Sequence, residues 1–127
     1  MYRAYLTSDQ IHYPAILEWD KEYFKKNGCF KFLTDEDIED KKDPIEVVYT
    51  GFGFLLAKFG VFESLEYPWF RPLTQEMSET IKDFSSEDVS ICQLLREKRF
   101  KIYIDPTVIV GHEKKKILLP PRLYSRT

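Results

Sequence analysis

The residues best placed to do chemistry are Ser85-Ser86-Glu87-Asp88, just ahead of an apolar stretch with helical spacing. A serine followed within three residues by an acid is close to a capping box, and two carboxylates in a first turn suit the positive end of the helix dipole. Ordinary helix N-termini look like this, and for an isolated pair that is the commoner meaning. Helical phase adds a second one. At about 100° per residue, Asp88 shares a face with Ile91, Cys92 and Leu95, while Glu87 lies nearer Ile91 and Leu94. A carboxylate on the covered side of a first turn is either satisfied by backbone amides or lines a cleft. A cleft carboxylate can act as a general base.

Other candidates are scattered along the chain. Gly51-Phe52-Gly53 interrupts an apolar region and marks either a β-bulge or a close backbone approach. Trp69 sits in the aromatic run Tyr67-Pro68-Trp69-Phe70, as core or as a ring-lined surface. His112 follows Val108 and Val110 at strand period, which suits a hydrogen-bonded histidine at a strand end. Asp35-Glu36-Asp37 has the form Asp-x-Asp but runs on into a charged stretch over 38–43, the pattern of a solvated connection. Asp105 before Pro106 suits a turn. Cys29 and Cys92 are far apart and have no metal spacing, and Cys92 falls in the helix as a small hydrophobe. No disulfide framework is implied, so the cytoplasm is the expected compartment.

The elements that must hold these residues follow from periodicity. Pro14 opens an expected helix over 15–26 that ends at Asn27-Gly28, with lysines in its last turn. Tyr13, Leu17, Trp19, Tyr23 and Phe24 supply its apolar contacts. Residues 34–43 form a charged connection with one acidic helical turn. Residues 45–50 have the β-branched content of a strand, and Phe54-Leu55-Leu56-Ala57 reads as a short buried strand. A short helix is expected over 59–65. An extended aromatic segment follows over 67–72, because residues before proline avoid the helical region. Residues 73–84 are polar and expected to be mobile. The helix at 87–98 then precedes strands at 101–104 and 107–110, split by Asp105-Pro106.

Bulk properties bound the alternatives. The chain has 127 residues, 43% hydrophobic and 31% charged, an ordinary globular mixture that suits one domain. Aromatics at 16% can serve a core or a sugar-binding face. A net charge of −2 argues against nucleic acid as a partner, since that requires a basic face. Lys114-Lys115-Lys116 reads as part of an exposed tail over 113–127. No apolar run spans a bilayer, and the start lacks the layout of a signal peptide.

In order, the acidic pair, the run Leu95-Arg96-Glu97-Lys98 through Tyr103-Ile104-Asp105-Pro106, and Val110-Gly111-His112 form a pattern. Upstream of it lie Tyr49-Thr50-Gly51-Phe52-Gly53-Phe54-Leu55-Leu56 and Val61-Phe62-Glu63 through Pro68-Trp69-Phe70. This set resembles the acceptor-side half of GT-A-fold glycosyltransferases of the family 2 type, over residues 45–112. The resemblance implies transfer of a sugar from a nucleotide-sugar donor to a glycan or lipid acceptor, with Mn2+ or Mg2+ in the complete enzyme.

The resemblance gives Asp88, with Glu87 beside it, the role of deprotonating the acceptor hydroxyl. Gly51, Phe52 and Gly53 would border donor and acceptor, and Trp69 would stand at the acceptor mouth. His112 would complete the metal and diphosphate site, imidazole being a good Mn2+ ligand beside carboxylates.

The departure from the pattern is at the start. Residues 1–43 lack the strand–helix alternation of a nucleotide-binding half. The metal motif of such enzymes is expected upstream of Tyr2-Arg3. The expectation is therefore a single fragmentary domain, a partial GT-A α/β unit with a small mixed sheet, flanking helices and an irregular lead-in over 1–43. It would bind no metal and be inactive alone, and it would be prone to self-association through surfaces that a missing half would cover. The alternative is a non-catalytic glycan- or protein-binding module derived from that fold.

Overall fold

The computed structural model describes residues 13–76, 79–80 and 82–111. Its centre follows from alternation. In a strand, Ile45, Val47 and Tyr49 share one face, and the structure buries Val47 and Tyr49 while leaving Glu46 exposed. The six residues 45–50 form two short strands rather than one, β2 (Ile45–Val47) and β3 (Tyr49–Thr50), because each takes a different partner. β2 pairs antiparallel with β6 (Ile102–Ile104), Val47 opposite Ile102. β3 pairs antiparallel with β1 (Ala15–Ile16), Ile16 opposite Tyr49. A third antiparallel pair joins β4 (Thr74–Glu76) to β5 (Lys82–Phe84) within the polar region expected to be mobile.

The architecture is thus a small mixed α/β fold. Short antiparallel ladders take the place of the expected four-stranded sheet.

Pro14 does not open a helix. Ala15 and Ile16 are drawn into the ladder with β3 and buried, so tertiary pairing overrides the local signal. The helix begins later, as α1 (Lys21–Asn27), where the Asp20 carboxylate accepts from the Tyr23 N–H at 2.9 Å. Its end falls where expected. Gly28 takes a φ of 71° and donates its N–H to the Phe24 carbonyl.

The acidic turn is α2 (Asp35–Ile38). The Thr34 N–H donates to the Asp37 carboxylate at 2.8 Å, which holds that carboxyl below its ordinary pKa. Asp37 is therefore committed to closing a helix end, in keeping with the reading of 35–37 as a structural connection.

Three further expectations change. Residues 54–57 are not a buried strand. Phe54 and Leu56 are 72% and 97% exposed, and among the described residues they join no ladder. Residues 107–110 are not a strand either. The Asp105 carboxylate accepts from the Thr107 N–H at 2.9 Å and hydroxyl at 2.6 Å, which turns the chain and leaves Val108, Ile109 and Val110 exposed. The helix expected over 59–65 is a single 3-10 turn at Phe62–Ser64.

The helix α3 (Glu87–Glu97) organises the rest, with the start and face its periodicity predicts and an end one residue earlier. Cys92 enters a core with Ala15, Ile16, Leu33, Val47, Tyr49 and Ile102. Ile91 and Leu95 face a second cluster around Leu65, bordered by Phe52, Phe62, Trp69 and Phe100. Phe52 touches both clusters, so α3 and Phe52 together join the two halves of the core. Among the described residues, no helix is long and apolar enough to cross a membrane.

Candidate functional site

Asp88 sits in the first turn of α3 and is half-buried, on the side its helical phase assigns. One carboxylate oxygen accepts from the Val89 N–H at 2.9 Å and from the Ser86 hydroxyl. The other accepts from the Tyr49 hydroxyl at 2.8 Å. Ser86, the N-cap residue, makes no side-chain capping bond. Its hydroxyl goes to Asp88 instead, so this is not the capping box the sequence suggests.

A carboxylate has about four lone-pair sites. Three are occupied by described residues. Glu87 is exposed, on the solvent side of the same turn.

Tyr49 is the hydrogen-bond partner of Asp88 that sequence reasoning missed. Its signal was present: position 49 falls on the inward phase set by Ile45 and Val47. A phenol on that face must find a partner for its hydroxyl, and the partner lies 39 residues further along the chain.

Next to this pair, Cys92 donates to the Thr50 carbonyl at 3.6 Å, and burial pushes its thiol up to about 11. Cys92 is therefore a neutral packing group and no nucleophile at neutral pH.

The two glycines separate in role. A Cβ on Gly51 would lie 3.2 Å from the Pro14 Cβ, and the Gly51 N–H donates to the Pro14 carbonyl at 2.7 Å. The close approach at Gly51 is thus to Pro14. Gly53 is exposed, with no atom within 4 Å of an added Cβ. Phe52 is half-buried and meets Phe70 edge-on at 5.6 Å. Trp69 stacks on Phe62 at 5.7 Å and takes the exposed Tyr67 ring edge-on at 6.1 Å. Trp69 is half core and half surface, with Tyr67 as its outward extension.

His112 lies outside the described residues. Among the described residues, no group of three or more histidine, cysteine or acidic side chains could hold a metal ion, so the donor set for Mn2+ or Mg2+ is not met by them.

Among the described residues, two clefts stand out. One of about 540 Å3 lies beside α2, lined by Leu17, Leu33, Asp40, Lys42 and neighbours. The other, about 360 Å3, is lined by Leu65, Arg71, Leu94 and Glu97 among others. Asp88, Gly51, Gly53 and Trp69 line neither. The structure joins Asp88 to β3, and Phe52 to the Trp69 cluster, without enclosing them in one of these clefts. No family model, curated protein or solved structure matches the chain.

Proposed function

We propose that the chain is the acceptor-side part of a GT-A-type glycosyltransferase and that Asp88 is its general base. The Tyr49–Asp88 hydrogen bond of 2.8 Å carries the reading, because it fixes a half-buried carboxylate on the inner side of a helix start. In the proposed step an acceptor hydroxyl attacks the anomeric carbon of the donor sugar. A new C–O bond forms, the bond to the nucleotide diphosphate breaks, and the hydroxyl proton passes to the Asp88 carboxylate. Tyr49 and Ser86 orient the carboxylate. Trp69 and the exposed Tyr67 offer ring faces to the apolar side of a sugar. Donor nucleotide and metal would be held by parts of the protein beyond the described residues.

A non-catalytic binding module of the same descent is the second reading. It is favoured by one observation, that Asp88 lines neither of the two clefts.

Titration of the purified chain with a panel of oligosaccharides, followed by amide NMR, tests both. Shifts at Asp88, Tyr49 and Trp69 together support the transferase reading, with no sugar transfer when nucleotide sugar and Mn2+ are added. Shifts confined to Tyr67 and Phe70 favour the binding module. No response to any glycan sinks both, and vigorous metal-dependent transfer by the chain alone overturns the assignment of donor binding to other parts.

A further inference from the structure

Arg71 follows the aromatic run and precedes Pro72, which favours an extended backbone at that position. The chain is anchored on both sides of it. Phe70 meets Phe52 edge-on at 5.6 Å, and the Leu73 N–H donates to the buried Ser90 hydroxyl at 3.0 Å. Arg71 itself is half-buried and lines the cleft of about 360 Å3 with Leu65, Glu66, Leu94, Glu97 and Lys98. No hydrogen bond or ion pair joins its guanidinium to a described residue. A solvated surface arginine is exposed, as Arg96 and Arg99 are. A guanidinium drawn partly out of water without an acceptor is costly.

We propose that this cleft binds a small carboxylate that carries an aliphatic group. The carboxylate takes parallel N–H···O bonds from the Arg71 fork, and the aliphatic group lies on Leu65 and Leu94. Asp88 does not line this cleft, so the inference does not depend on the glycan reading.

The surrounding charges decide the class of ligand. Glu66 and Glu97 balance Arg71 and Lys98, which leaves the cleft neutral as a whole. Its two carboxylates oppose a phosphate dianion, whereas a single negative charge held at the guanidinium is tolerated. Glu97 accepts from the Gln93 amide at 3.1 Å and forms no ion pair with Arg71. Glu66, Glu97 and Lys98 are exposed and stay hydrated. Arg71 is the half-buried charge among them, so it gains most from a ligand oxyanion.

Shape sets the size of the apolar part. Leu65 is buried in the second core cluster and Leu94 packs against it, which gives the cleft an apolar floor. A volume of about 360 Å3 lies near the lower bound of ligand clefts, roughly 300 Å3. That suits an aliphatic acid of a few carbons.

NMR titration of the purified full chain with isocaproate tests the proposal. The expected result is saturable shifts at the Arg71 Nε–H and the Leu65 and Leu94 methyl groups, with a Kd on the order of 1 mM. The neutral isocaproamide and inorganic phosphate are each expected to bind roughly tenfold more weakly or worse. Arg71→Gln should weaken isocaproate binding by roughly tenfold or more, whereas Arg96→Gln, at an exposed cation of α3, should leave it intact. Shifts that do not saturate overturn the proposal. Equal binding of the amide overturns it by making the cleft merely apolar, and equal binding of phosphate by making it a general anion site. Affinity that survives Arg71→Gln overturns it as well. If that variant fails to fold, the comparison of acid with amide on the wild-type chain decides.

Discussion

Residues 45–50 and 54–57 are both apolar, both short and only three residues apart, yet they end in opposite environments. The first run alternates, so each of its faces has a defined role. Val47 and Tyr49 turn inward to the core, while Glu46 meets solvent. It also splits between two partners, β6 on one side and β1 on the other. The second run is apolar on both faces, so burying it needs cover from two directions, and the short ladders supply none. Hydrophobicity alone therefore does not place a segment inside. The pattern of sides, and the availability of something to cover each side, decide it.

Paired substitutions sharpen that contrast. The largest effect is expected from charge. Val47→Asp buries a carboxylate without a partner and is expected to destabilise the fold by about 3–5 kcal/mol. Leu56→Asp, measured by the same denaturant titration, is expected to change stability by less than about 0.5 kcal/mol. Comparable losses for both would mean that 54–57 contributes to the core after all.

Cys92 comes next, because its thiol joins α3 to the end of β3. Its folded pKa of about 11 lies above the ordinary value of 9.0. An acid raised on folding stays neutral in the native state while the unfolded chain ionises. Its contribution is therefore complete below pH 9 and lost as pH rises towards 11, by an order of 1–3 kcal/mol. Urea midpoints recorded across that window should fall for the wild type and fall less for Cys92→Ala.

A smaller effect is expected at Tyr49. Tyr49→Phe removes the hydroxyl from Asp88 and should cost about 0.5–1.5 kcal/mol. Under the proposed function, it should also weaken the glycan-induced shift at the Asp88 amide more than Val47→Ala does.

The smallest contrast is between the two glycines. Gly51→Ala must displace Pro14 and should lower the melting temperature by a few degrees, with a cost of about 0.5–1 kcal/mol. Gly53→Ala should leave it unchanged.

Much of the helical structure was legible. The Ile91, Cys92 and Leu95 face fixed α3 to within one residue, and Asn27-Gly28 fixed the end of α1. The start of α1 was not legible, because Ala15 and Ile16 join a ladder whose partners, Thr50 and Tyr49, lie 35 and 33 residues away in sequence. No local propensity carries that information. At 107–110, the side chain of Asp105 competes with strand formation, and its turn chemistry outweighs the β-branched content after it.

In the candidate site, Asp88 could be named from helical phase. Its partner Tyr49 could not, since a helix start and a strand must first pack for the two to meet. Gly51 illustrates the reverse. The sequence left it open between a β-bulge and a close backbone approach, and the group approached, Pro14, was not readable.

Ser90 is fully buried; its hydroxyl donates to the Ser86 carbonyl, accepts from the Leu73 N–H at 3.0 Å and meets the Ser85 hydroxyl at 2.6 Å. Gln75 reaches Gln93 on the same helix. These bonds fasten the β4–β5 hairpin to α3 at its base, while Thr74, Glu76 and all of β5 face solvent. Mechanically, the hairpin is a lever with a polar fulcrum. Three residues of strand extend about 10 Å at ~3.4 Å each, so a tilt of roughly 10° at Ser90 sweeps the far end through about 2 Å. The one deeply buried hydroxyl of the helix therefore sets the aim of an arm that contributes nothing to the core.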